Sequence, residues 1–185
     1  MIVEPAGPGA VAVFVGAAEM AVARADQGPL VAYALGSCVG VSVHDPVARV
    51  GGMLHFLLPR QPEGRASRRA DACAFAATGL PMLFARLLAA GARLSRCVAC
   101  AAGGAEMLEN PAAAALGSIG SRNCRAVTEV CAAAGVALAA TATGGPVART
   151  LRLCVATGEV LVRSQLGLAV LWPPGRLLDD AATAW

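Results

Sequence analysis

Three apolar segments between residues 30 and 58 read as candidate strands, and the last two are joined by a turn short enough to make them hairpin neighbours. Leu30 to Leu35 is stopped by Gly36-Ser37. Val39, Val41 and Val43 then alternate with Gly40, Ser42 and His44, the period of two that marks a strand. Asp45-Pro46 turns the chain, and Val50 to Leu58 runs back until Pro59. A hairpin of this kind commits the chain to antiparallel pairing at its centre.

The flanking sequence supplies further strands and two helices. Val11 to Val15 and Glu19 to Ala23 read as short strands before the turn Asp26-Gln27-Gly28-Pro29. Leu80, Leu83, Phe84, Leu87 and Leu88 form one stripe at helical spacing, with Thr78 as the expected cap, Pro81 in the first turn and Gly91 at the C-terminal end. Leu94 to Ala101 reads as a strand running into Gly103-Gly104. After a loop with Asn110-Pro111, Ser121 is the expected cap of a second helix carrying Cys124, Val127, Cys131 and Ala134 inward to Gly135. Val136 to Ala142 is a strand, and Leu151 to Ala156 and Val160 to Arg163 form a hairpin through Thr157-Gly158-Glu159. The expectation is one α/β domain dominated by antiparallel strands over residues 1–163, with a C-terminal extension over 164–185.

Composition removes several function classes. All fifteen basic residues are arginine, so neither a lysine Schiff base nor a P-loop lysine is available. Aromatics are only 4% and do not interleave with basic residues, which argues against nucleic acid as a partner. The longest uncharged stretch, Val130 to Ala148, is alanine-rich and broken by Gly135, Gly144, Gly145 and Pro146, so it reads as helix end, strand and turn without membrane insertion. Met1-Ile2-Val3-Glu4-Pro5 carries an acid where a secretory signal needs positive charge. With seven cysteines, an odd number, the expectation is a reducing cytoplasm with free thiols.

Cys38 follows the Leu35-Gly36-Ser37 turn, and His55 lies in the returning strand. A thiol and an imidazole so placed are the minimum parts of a nucleophile and its base, and free N–H groups around Gly36 and Ser37 could hold an oxyanion. The competing readings are a cysteine that packs as a small hydrophobe and a core histidine bonded to a backbone carbonyl. His44, on the opposite pleat from its valine neighbours, reads as solvated. Cys97-Val98-Ala99-Cys100 resembles a metal or redox motif, but residues three apart on a strand face opposite sides, and nothing completes a zinc site. No metal and no cofactor is expected. Cys97, Cys100, Cys124, Cys131 and Cys154 read as packing residues, and Cys73 sits in a loop. The glycine pairs at 103–104 and 144–145 are weak phosphate-loop candidates outside any Walker or GxGxxG pattern.

Taken in order, several segments resemble the chemoreceptor glutamine deamidase family, CheD. They are Val15-Gly16-Ala17-Ala18-Glu19-Met20, Leu35-Gly36-Ser37-Cys38-Val39 and Gly51-Gly52-Met53-Leu54-His55-Phe56-Leu57-Leu58-Pro59. Gly103-Gly104-Ala105-Glu106-Met107-Leu108, Ile119-Gly120-Ser121-Arg122-Asn123, Gly144-Gly145 and Thr157-Gly158-Glu159-Val160-Leu161-Val162 follow. The resemblance implies an α/β (α+β) sandwich related to the deamidating bacterial toxins, in a cytoplasmic enzyme of bacterial chemotaxis. It implies conversion of receptor glutamines to glutamate, hydrolysis of receptor methyl esters in some members, and the cytoplasmic domains of methyl-accepting chemoreceptors and the CheC phosphatase as partners. The family's cysteine falls on Cys38 and its histidine on His55. The family's threonine, six residues before the cysteine, falls on Ala32, so Ser42, Tyr33 and Ser37 are the substitutes for orienting His55.

Two rival functions accompany the deamidase. One is a regulator without catalysis, bound to the receptor or the phosphatase. The other is a cysteine hydrolase acting on a small amide or ester. The arginines from Arg60 through Arg65 and Arg68 to Arg69 could steer the chain toward acidic receptor helices, or simply form a solvated loop.

Overall fold

The computed structural model describes residues 11–62, 69–106 and 117–178. In chain order the strands are β1 (Val13–Phe14), β2 (Glu19–Arg24), β3 (Leu30–Leu35), β4 (Val39–Asp45) and β5 (Val50–Phe56). Helix α1 (Ala76–Ala89), β6 (Val98–Gly103) and helix α2 (Ile119–Ala133) come next. The chain then forms β7 (Ala137–Thr143), β8 (Arg149–Leu153), β9 (Val160–Ser164) and β10 (Gly167–Trp172).

These strands build two sheets of five. The outer sheet has the order β1-β3-β8-β9-β10 and the inner sheet β2-β5-β4-β6-β7. Two pairs, β1 with β3 and β6 with β7, are parallel; the others are antiparallel. This is the expected α+β sandwich of mixed, largely antiparallel sheets with flanking helices. The expected hairpin is present too, with Val39 opposite Phe56 and Asp45 opposite Val50.

The inner sheet is covered on both faces. Val39, Val41, Val43, Leu54 and Phe56 pack with Leu80, Leu83, Leu87 and Val127 of the helices. From the other face, Met53, Cys100 and Ala102 pack with Leu30, Ala32, Leu35, Leu151 and Leu153 of the outer sheet. Every residue of β4, β5 and β6 is therefore buried. This double cover corrects the reading of His44. Its pleat parity differs from the valines as expected, but that face meets the outer sheet instead of water. His44 is buried, and its Nε2 lies 3.0 Å from the Val155 carbonyl oxygen. Desolvation holds the ring's pKa below 6.5, against the Val155 carbonyl and Asp45, which raise it.

The helix ends differ from expectation in three places. α1 begins before Thr78, whose hydroxyl donates to the Ala72 carbonyl instead of capping. Pro81 consequently falls in the second turn, where it removes one i to i−4 hydrogen bond. The Ser118 hydroxyl, not Ser121, caps α2 by accepting the Ser121 N–H at 3.0 Å. Gly91 closes α1 as expected, in a left-handed conformation, with its N–H on Leu88 and that of Ala92 on Leu87. The segment expected to begin a strand at Leu94 first makes a short 3-10 turn over Leu94–Arg96. Asn110-Pro111, Arg65 and Arg68 lie outside the described residues.

Asp45, at the end of β4, is fully buried and gathers the nearby turns. It accepts from the backbone N–H groups of Val47, Ala48 and Arg93 and pairs with Arg96 Nη2 at 2.6 Å. Burial would raise its carboxyl pKa; the Arg96 guanidinium and the three N–H groups outweigh burial and hold it at about 2. Against an ordinary value of 3.8, the difference stabilises the fold by about 2 kcal/mol. A depressed carboxyl contributes fully above its unfolded pKa and loses that contribution as pH falls through the folded one. Asp45→Asn should therefore cost about 2 kcal/mol by urea denaturation at pH 7. Its difference from the native chain should close as the pH is lowered toward about 2.

Candidate active site

The chain leaves the outer sheet at Leu35 and enters the inner sheet at Val39, so Gly36, Ser37 and Cys38 form a crossover between the two layers. The turn starts at Ala34, a non-glycine residue with φ of 54°. Such a conformation costs on the order of 1 kcal/mol and is held by its surroundings. The Gly36 N–H bonds back to the Ala34 carbonyl, and the Gly36 carbonyl accepts the Ala105 N–H at 2.7 Å. The Cys38 carbonyl accepts the Gly104 N–H at 2.8 Å. A Cβ on Gly103 would sit 2.3 Å from the Cys38 carbonyl oxygen, and one on Gly104 would sit 2.3 Å from Cys124 Sγ. The glycine pair at 103–104 thus lets β6 and α2 close on the crossover, a packing role in place of the phosphate cradle considered from sequence.

His55 projects from β5 into the space between the sheets, on the face that carries Met53. Its Nε2 lies 3.2 Å from Cys38 Sγ. The same sulfur is 3.8 Å from the Ala34 carbonyl oxygen, a longer alternative acceptor. Cys38 is partly exposed while His55 is only 5% exposed, so the sulfur is open to solvent and the imidazole lies behind it.

Burial raises the Cys38 thiol pKa above 9.0, opposed by the backbone N–H groups of Gly36 and Cys38, which favour thiolate. Burial lowers the His55 pKa below 6.5, opposed by the Val15 backbone and the Glu19 charge. At neutral pH the resting pair is thus thiol and neutral imidazole, not thiolate and imidazolium. With Nε2 facing the thiol as acceptor, the ring proton belongs on Nδ1. The Val15 backbone hydrogen-bonds the ring and favours its charged form, although among the described residues no group meets good hydrogen-bonding geometry at the buried Nδ1.

The residues considered as orienters lie elsewhere. The Ser42 hydroxyl points to the Cys100 carbonyl oxygen at 3.4 Å. Tyr33 is half exposed, its ring 5.5 Å from that of Phe14 at the surface. Ser37 is exposed on the crossover, where among the described residues neither its N–H nor that of Cys38 has a backbone acceptor. Ala32 is fully buried in the layer between the sheets that His55 also enters. The two cysteines of Cys97-Val98-Ala99-Cys100 face opposite layers, Cys97 toward the helices and Cys100 toward the outer sheet. They cannot jointly hold an ion.

Asn123 was not singled out from sequence as a site residue. It is fully buried in α2, and its Nδ2 donates to the Ser37 carbonyl at 2.8 Å and the Leu57 carbonyl at 2.9 Å. The signal was available: Asn123, Val127 and Cys131 fall four apart on one helical stripe, so an amide stands where an apolar residue belongs.

A two-sheet α+β fold that brings a cysteine and a histidine together at a layer crossover is consistent with an amide hydrolase. The family model described as CheD chemotactic sensory transduction matches residues 57–164. A protein of Solibacter usitatus named probable chemoreceptor glutamine deamidase CheD is 40% identical over 148 residues, 80% of this chain and 86% of its own. Its namesake in Symbiobacterium thermophilum is 44% identical over 80% of this chain and 89% of its own. That of Pyrococcus abyssi is 37% identical over 85% of this chain and 94% of its own. The chain belongs to the CheD family.

The thiols should separate by burial. The pKa of Cys100 is pushed up to about 12 and those of Cys97 and Cys131 to about 11 by desolvation. A mild alkylating reagent should modify Cys38 before all three, with a rate that keeps rising past pH 9. Peptide mapping that finds Cys38 among the slowest sites would refute this order.

Proposed function

We propose that this chain is a cytoplasmic chemoreceptor glutamine deamidase in which Cys38 is the nucleophile and His55 the base. The observation that carries the reading is the 3.2 Å approach of His55 Nε2 to Cys38 Sγ in a chain of this family. The printed names of its relatives supply the substrate class, a glutamine side chain on a chemoreceptor.

The geometry supports the following route. As the Cys38 sulfur attacks the carboxamide carbon, its proton passes to His55 Nε2, and the former carbonyl oxygen becomes an oxyanion. The N–H groups of Ser37 and Cys38 are the donors closest in sequence to the attacking sulfur, with Gly36 shaping their turn. Collapse of the tetrahedral intermediate breaks the carbon–nitrogen bond while Nε2 returns the proton, and ammonia leaves a thioester on Cys38. Nε2 then takes a proton from water as the water oxygen attacks the thioester. The thiol recovers that proton, releasing glutamate. Since the resting pair is neutral, proton transfer accompanies attack instead of preceding it.

The poorly held Nδ1, with no well-aligned partner among the described residues, favours a second reading, a CheD-like regulator that binds the receptor or the CheC phosphatase with little turnover. A ring without a partner on its far nitrogen stabilises the imidazolium less well as the proton arrives.

Cys38→Ala should abolish ammonia release from receptor cytoplasmic fragments and the gain of about one mass unit per glutamine converted. Persistent activity in that variant would end the nucleophile assignment. For the native chain, kcat/KM should form a plateau at neutral pH. Its acid limb should have a midpoint below 6.5, because a protonated His55 cannot accept the thiol proton, and its alkaline limb should lie above 9.0. An acid limb with a midpoint above 6.5 contradicts the neutral pair.

Ala32→Thr separates the two readings. A hydroxyl that reaches Nδ1 should raise kcat several-fold, the equivalent of about 1 kcal/mol. Because Ala32 is fully buried, the added atoms should also lower stability by about 1 kcal/mol or more. Activity in neither protein, with intact receptor binding, supports the regulator. A turnover unchanged by the hydroxyl means His55 is held some other way.

A further inference from the structure

Asn123 joins the two halves of the site from behind. Its side-chain amide has two N–H bonds, and both are committed: one to the carbonyl of Ser37, the residue before Cys38, and one to that of Leu57, two residues after His55. Two carbonyl acceptors can be satisfied only by the NH2 end, which fixes the orientation of the amide. Its oxygen, Oδ1, is buried without a partner among the described residues. A residue kept for packing alone would not leave a buried acceptor unsatisfied, so the two donors are what this position supplies.

The bond to Ser37 has a directional consequence. In a trans peptide the C=O of one residue and the N–H of the next point in opposite directions. Holding the Ser37 carbonyl against α2 therefore turns the Cys38 N–H away from the helix, toward the side where the sulfur stands. The bond to Leu57 fixes the end of β5 at the same point, so the amide references the strand of the base to the peptide of the nucleophile.

We infer that Asn123 is a positioning residue for the deamidation, aiming the Cys38 N–H at the developing oxyanion and setting the register between Cys38 and His55. The inference rests on Cys38 acting as nucleophile. Asn123 itself touches neither the substrate nor the reacting atoms, so its loss should appear in kcat and leave KM nearly unchanged.

The experiment compares the native chain with Asn123→Asp, which keeps the volume but replaces donors with acceptors, and Asn123→Ser, which is smaller and less disruptive to folding. Folded variants should lose about 10- to 100-fold in kcat on a receptor fragment, with KM within about threefold of native. The pH profile of Cys38 alkylation by iodoacetamide should move to higher pH in the same variants, since the N–H that favours thiolate is no longer aimed. That second readout needs no deamidase activity. If Cys38→Ala retains activity, the nucleophile assignment fails, and a shifted alkylation profile still reports whether Asn123 orients Cys38. Unchanged kcat and an unchanged profile in either folded variant overturn the inference, as does a loss confined to KM. In the native chain, the Asn123 side-chain protons should exchange slowly with solvent and show scalar coupling to the Ser37 and Leu57 carbonyl carbons. Absence of the Ser37 coupling overturns the inference even if no variant folds.

Discussion

The pairing of β4 with β5 in a layer covered on both faces is the constraint from which the rest follows. Seven residues of each strand are buried, so neither can slip by one position without driving Val41, Leu54 and their neighbours into the wrong layer. That register sets His55 opposite Gly40, two residues into β4, and leaves Cys38 immediately before the strand begins. The approach of sulfur to imidazole is thus a consequence of strand register, secured by a core much larger than the site.

Burial sets the chemistry as well as the position. A thiol and an imidazole facing each other in water would share a proton readily, but desolvation disfavours the charged form of both. The pair therefore rests neutral, and under the proposed mechanism charge would develop only as a substrate carbonyl is attacked. What distinguishes this chain within that scheme is the far side of the ring. The layer between the sheets holds Ala32, and among the described residues no side chain completes a hydrogen bond with Nδ1, which leaves the Val15 backbone to support the ring. A buried donor held only loosely by a backbone group gives weaker support to an imidazolium than a well-aligned acceptor would.

Much of the architecture was legible because local patterns carried it. Alternation at Val39, Val41 and Val43 and the Asp45-Pro46 turn located the hairpin, and Leu30–Leu35 was bounded correctly by composition alone. The opposed faces of Cys97 and Cys100 followed from strand parity. What local patterns could not report was the second cover over the inner sheet. His44 and Ser42 looked free to meet water or to serve the site, because a polar residue on alternate positions normally marks a solvent face. Here that face meets the outer sheet, and each side chain is satisfied by a backbone carbonyl, from Val155 for His44 and from Cys100 for Ser42. The caps at Thr78 and Ser121 were misplaced for a simpler reason: helix ends depend on where the preceding turn delivers the chain, as Ser118 does for α2.

The contact from Asn123 to the crossover was invisible for a related reason, since its partners are carbonyls 86 and 66 residues away and backbone acceptors leave no trace in composition. Its location follows from the topology. A crossover between two sheets belongs to neither hydrogen-bonded ladder, so its carbonyls must find donors from other elements or remain unpaired in a buried setting. Ala105 satisfies Gly36, Gly104 satisfies Cys38, and Asn123 satisfies Ser37 between them. The Cys38 peptide is therefore held by the segment that follows β6 and by a side chain of α2 at once. The segment that carries the thiol is the one with no ladder of its own, and three donors from outside the two strands it connects hold it in place.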